Sequence, residues 1–139
     1  RPVEGYHPDD RYISRLIHKE VANNDRCFFV DGYHSSSEIK SVIGNADIVL
    51  ASRFHSLIFS LSQGIPSMAI SWSHKYGELF RLFNMENLVV EDEDMNLEAL
   101  YKLMEDLKAN QTMISMKLKE TLPKINEKLS IPLSKIRLA

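Results

Sequence analysis

Four short apolar runs recur along the chain: "CFFVD" (Cys27–Asp31), "ADIVLA" (Ala46–Ala51), "IPSMAIS" (Ile65–Ser71) and "NLVVE" (Asn87–Glu91). Each is too short for a buried helix and lacks regular polar alternation, so each reads as a strand covered on both faces. The segments between them carry apolar residues at helical spacing. Strands alternating with helices through short connections require a parallel sheet with crossover helices. The fold class expected is therefore α/β, a Rossmann-like parallel sheet with helices on both faces. The length of 139 residues suits a single such domain, residues 1–139.

The helices follow from periodicity and punctuation. Tyr12, Ile13, Leu16, Ile17 and Val21 mark an amphipathic helix over roughly residues 10–23, capped by Asp9 or Asp10. Ser35 and Glu38 form a capping box for a short helix that Gly44 closes. Ser52 is placed to cap a helix over about residues 53–63, with Phe54, Leu57, Ile58 and Leu61 inward and Gly64 at its end. Further helices are expected near residues 76–84, from about Leu97 to Leu107, and from about Thr112 to Leu129 with a bend near Pro123.

Ligands of open parallel sheets collect at the carboxyl ends of the strands. That edge would receive Asp31 to His34, Ser52 to His55, and Ser71 to Tyr76. The second group has an arginine and a histidine in the first turn of a helix. Free N–H groups and the helix dipole already make that turn positive, so cations there oppose the dipole unless an anion is bound. Arg53 can grip a phosphate or carboxylate with two N–H bonds, and His55 can donate to it or move a proton. Spacing alone leaves this reading level with a plain one, in which Arg53 pairs with Asp31 or Asp47 and His55 packs quietly. The "SWSHKYG" loop adds His74, Lys75 and Tyr76, with Trp72 or Tyr76 as a stacking or capping group. His34 can reach ligand from the neighbouring strand end.

Composition removes several classes of function. The net charge is −2, and no basic block suggests nucleic-acid binding. No apolar segment is long enough for a membrane span. One cysteine, Cys27, and five histidines without tight pairing give neither a disulfide nor a metal site. No phosphate-loop lysine motif and no Gly-x-Gly-x-x-Gly fingerprint occurs. The cytoplasm is the default compartment, with the inner face of the membrane as a place of work.

Taken as a block, "ADIVLASRFHSLIFSLSQGIPSMAISWSHKYGELFRLFNM" resembles the polysaccharide pyruvyl transferase family. The pattern is an apolar strand, Arg-(Leu/Phe)-His, an apolar helix, Gly-(Val/Ile)-Pro, a second strand and a loop with a lysine. Here these are Arg53-Phe54-His55, Gly64-Ile65-Pro66 and Lys75. The resemblance covers about residues 26–107.

The resemblance implies a two-domain protein arranged like a GT-B glycosyltransferase, with this chain as its C-terminal domain. It implies a missing N-terminal domain and a fragment inactive alone. The implied reaction moves the pyruvyl group of phosphoenolpyruvate onto two hydroxyls of a sugar in a polysaccharide or its precursor. A ketal forms and phosphate leaves; phosphoenolpyruvate is the donor substrate, and no cofactor or metal is implied. Arg53 would hold one anionic group, with Lys75 and Arg1 near the other, and Phe54 would add packing and a backbone N–H. His55 would carry a proton; His34, Ser52, His74 and Tyr76 are further candidates. Two other readings stay open: a glycosyltransferase domain binding a nucleotide sugar, and a non-catalytic α/β binding domain.

Overall fold

A computed structural model describes residues 10–21, 26–91 and 96–135, with side chains described as far as residue 128. The chain divides into two compact units, Arg1–Ser35 and Ser36–Ala139.

In the first unit, helix α1 (Asp10–Val21) occupies the span its periodicity predicts. The run from Cys27 to Asp31 is not a strand. A strand needs a neighbour to take its backbone N–H and C=O groups, and the described part of this unit offers only a helix. Its side chains reflect that: Phe28 is 85% exposed, against the buried strand expected. Side-chain contacts order the segment instead. Arg15 donates to both carboxylate oxygens of Asp31 at 2.9 Å, and the His18 and Phe29 rings lie 5.8 Å apart.

The second unit holds the sheet. Helix α2 (Ser36–Ile43) leads to strand β1 (Val49–Ala51), helix α3 (Phe54–Leu61), strand β2 (Ser67–Ser71) and helix α4 (Lys75–Arg81). A 3-10 turn (Glu86–Leu88) opens into strand β3 (Val89–Glu91), followed by helices α5 (Leu97–Ala109) and α6 (Gln111–Lys135). The strands form one parallel sheet in the order β1-β2-β3, with Val49 opposite Ser67 and Ala69 opposite Val89. The fold is thus α/β and Rossmann-like, with three strands among the described residues.

Successive side chains of a strand point to opposite faces. Ser67, Met68 and Ala69 are all buried, so both faces of β2 are covered. On one face Ser67 Oγ bonds to Ser60 Oγ of α3 at 2.7 Å. The core joins Leu57, Leu61, Met68, Tyr76, Phe80, Leu88, Leu107 and Leu118, drawing on every layer of the unit. Burying one such side chain is worth about 1.5–3 kcal/mol.

Several ends differ from expectation. Gly44 follows α2 as expected but is not left-handed. A Cβ there would meet Gln63 Oε1 at 2.5 Å, the far end of a side chain whose Nε2 donates to Lys40 O at 2.9 Å. Gly64 is left-handed at φ 73° and lets the Ile65 N–H reach Ser60 O at 3.0 Å, closing α3. Arg53, not Ser52, is the N-cap residue of α3, with extended backbone and no side-chain cap. Asn96 caps α5 by accepting from the Ala99 N–H at 2.8 Å. Helix α6 continues through Pro123 to Lys135. A proline removes one ladder bond, and the buried Ile114 and Leu118 anchor the preceding turns.

Candidate functional site

Because β1 and β2 run parallel, the residues leaving their carboxyl ends emerge on one edge. From β1 these are Ser52 and Arg53, then the first turn of α3 with Phe54 and His55. From β2 they are Trp72, Ser73 and His74, then Lys75 and Tyr76 in α4.

The first turn of α3 is left open. The N–H groups of Phe54 and His55 have no intrahelical acceptor, and the Arg53 side chain does not cap the turn. Arg53 O takes the next two, from Ser56 at 3.1 Å and Leu57 at 3.3 Å. Ser52, Arg53 and His55 are exposed, whereas Phe54 is half-buried. Two backbone donors and the positive end of the helix dipole thus fall within residues 53–55, which also carry a guanidinium and an imidazole.

The loop after β2 is stiffened from within. Ser71 Oγ donates to Ser73 O at 2.8 Å and accepts from the Ser73 N–H at 3.2 Å. Tyr76 is fully buried, and its hydroxyl donates to Ser52 O at 2.8 Å. This tyrosine braces the two loops; its hydroxyl is not turned to solvent. His74 is exposed and makes no side-chain cap at the start of α4.

Lys75 links the two loops. Its ammonium lies 4.9 Å from the Trp72 ring centroid, 5.1 Å from that of Phe54 and 5.7 Å from that of Tyr76. Phe54 stands between Arg53 and His55 in the chain, so the lysine charge belongs to the same corner. Sequence spacing named these residues but not their ring contacts. The only hint was three aromatic residues flanking one lysine and one arginine.

Asp31 and His34 lie in the first unit. The Asp31 carboxylate is engaged by Arg15, and the ring of His34 bonds through Nε2 to Asp31 O at 2.7 Å. The Arg15 guanidinium, and then the Gly32 N–H, hold the Asp31 carboxyl below the usual aspartate range. Arg1 lies outside the described residues.

Among the described residues no group of three His, Cys, Asp or Glu could hold a metal ion, and no helix is long and apolar enough to cross a membrane. A cavity of about 320 Å³ lies before β3, lined by Met85, Leu88, Leu103 and Ile114. Another, of about 330 Å³, lies before β1 and β2, beside Asp47, Gly64 and Lys119. Both are at the amino ends of the strands, away from the Arg53 corner.

The chain is 27% identical over 73 residues to the amylovoran biosynthesis protein AmsJ of Erwinia amylovora. That match takes in 52% of this chain and 18% of the relative, so the chain spans less than a fifth of it. No solved structure matches the chain significantly. Residues 2–74, which include the open first turn of α3 and both strands that frame it, match the family described as polysaccharide pyruvyl transferase. With more than half of its length in that match, the chain belongs to the polysaccharide pyruvyl transferase family.

Proposed function

We propose that this chain forms the phosphoenolpyruvate-binding wall of a pyruvyl transferase that modifies a sugar of a cell-surface polysaccharide or its precursor. One observation carries the reading. Arg53 and His55 flank a ring that lies 5.1 Å from the Lys75 ammonium, at an uncapped helix start. Phosphoenolpyruvate has a carboxylate and a phosphate, and a site for it needs several fixed donors around two anionic groups.

In this reading Arg53 and the N–H groups of Phe54 and His55 hold one anionic group, and Lys75 faces the other. The methylene carbon of phosphoenolpyruvate takes up a proton, which makes C2 electrophilic. Two sugar hydroxyls add at C2 and lose their protons, and the C2–O bond to phosphate breaks. The product is a ketal plus phosphate. His55 is suited to one of these proton transfers. Whichever of the two cations, Arg53 or Lys75, holds the phosphate stabilises the charge that develops on it as it departs. The sugar acceptor is met by a second domain of a longer protein, across a cleft of which this edge is one wall.

The test is the melting temperature of the chain with phosphoenolpyruvate, uridine diphosphate or inorganic phosphate. A ligand present above its dissociation constant raises it. Phosphoenolpyruvate is expected to give the largest rise. A rise with uridine diphosphate and none with phosphoenolpyruvate overturns the reading in favour of a nucleotide-sugar domain. In the longer protein, phosphate release should depend on both phosphoenolpyruvate and a sugar acceptor.

A further inference from the structure

We propose that Phe54 and Trp72, braced by Tyr76, form an aromatic seat that positions the Lys75 ammonium for the incoming anion without neutralising it. The inference rests on the site reading above and adds positioning residues to it.

A lysine ammonium on a four-carbon stem is a mobile point charge, and fixing it costs rotamer entropy. Proteins usually fix it with a carboxylate, which also cancels its charge. Lys75 is held otherwise. Among the described residues no carboxylate lies within ion-pair distance of its ammonium, and it donates no side-chain hydrogen bond to any of them. Three ring centroids stand within 6 Å of it, the range in which the negative face of a ring attracts a cation.

The rings themselves are fixed. Tyr76 is buried and bonded to Ser52 O. Phe54 meets it edge-on, with centroids 5.6 Å apart and planes at 88°. Trp72 meets it at 6.1 Å and 62°. Trp72 is 64% exposed, so core packing does not account for its position. The seat therefore holds a charge beside the first turn of α3 and adds no countercharge of its own, which suits an anion site.

The experiment is calorimetric titration of phosphoenolpyruvate into the full chain and its F54L, W72L and K75M variants, with the F54L/K75M and W72L/K75M pairs. Leucine keeps an apolar side chain at each position and removes the ring. Loss of either ring is expected to weaken binding about two- to fivefold, the usual worth of a partly exposed cation–ring contact. K75M is expected to weaken it further, and in the K75M background F54L and W72L should cost nothing more. Equal losses with and without Lys75 overturn the seat, as does an unchanged affinity in K75M. Failure of the unaltered chain to bind phosphoenolpyruvate overturns the site reading itself, and the seat with it.

Discussion

The Tyr76 hydroxyl donates to the Ser52 carbonyl oxygen at 2.8 Å, across 24 residues of chain. It joins the end of β1 to the first turn of α4, so the two loops of the candidate site are mechanically one piece. Tyr76→Phe keeps the ring and removes the bond. A loss of about 1 kcal/mol is expected, read as a fall of about 3–5 °C in melting temperature. Phosphoenolpyruvate affinity should fall with it, because the Phe54 and Lys75 loops are no longer tied.

Arg53→Ala should weaken phosphoenolpyruvate binding about 10- to 100-fold, the worth of a charge-assisted hydrogen bond. Arg53 is exposed, so stability should change by less than about 0.5 kcal/mol. Arg53→Lys keeps the charge but not the planar fork and should recover only part of the affinity. Calorimetry and thermal melting on the same samples check both. Unfolding of Arg53→Ala would make the residue structural.

Gly64→Ala tests the closure of α3. The position has φ 73°, and a Cβ there would lie 2.8 Å from Lys119 Cγ. The expected cost is about 1–2 kcal/mol, mainly from the left-handed backbone. Adding Lys119→Ala removes the contact but not the backbone strain, so denaturant melts of the double variant should show only partial recovery.

The first unit carries a pH dependence of known sign. Hydrogen bonds from Arg15 and Gly32 lower the Asp31 carboxyl below its unfolded value. A lowered carboxylate stabilises above the unfolded pKa of about 3.9, and that contribution is lost as pH falls below it. Nuclear magnetic resonance of the Asp31 carboxyl carbon should show a midpoint below that value. Arg15→Gln should raise it.

Much of this architecture was legible in the chain. The runs at Ala46–Ala51, Ile65–Ser71 and Asn87–Glu91 each contain an observed strand, because an apolar run between helical segments has few other ways to be buried. Cys27–Asp31 has the same look and forms no strand. Periodicity records what a segment can bury, and pairing depends on whether a neighbour is there to receive it. Ser52 has the better capping side chain, so the sequence points one residue before the observed cap of α3 at Arg53. The backbone turns helical only after Arg53, and the serine carbonyl goes to Tyr76. That exchange leaves the α3 turn open. The spacing of Arg53, His55 and Lys75 marked out a corner, but the rings that gather around Lys75 depend on packing angles that spacing does not encode.

The indole beside Lys75 is the chain's single tryptophan. Its centroid is the nearest of the three to the ammonium, at 4.9 Å, and most of the residue faces solvent. Indole emission shifts with the local electric field, and pairing that ammonium with an anion would change the field at one place only. The molecule thus carries its own optical gauge where a ligand would arrive, undiluted by any second emitter of its kind.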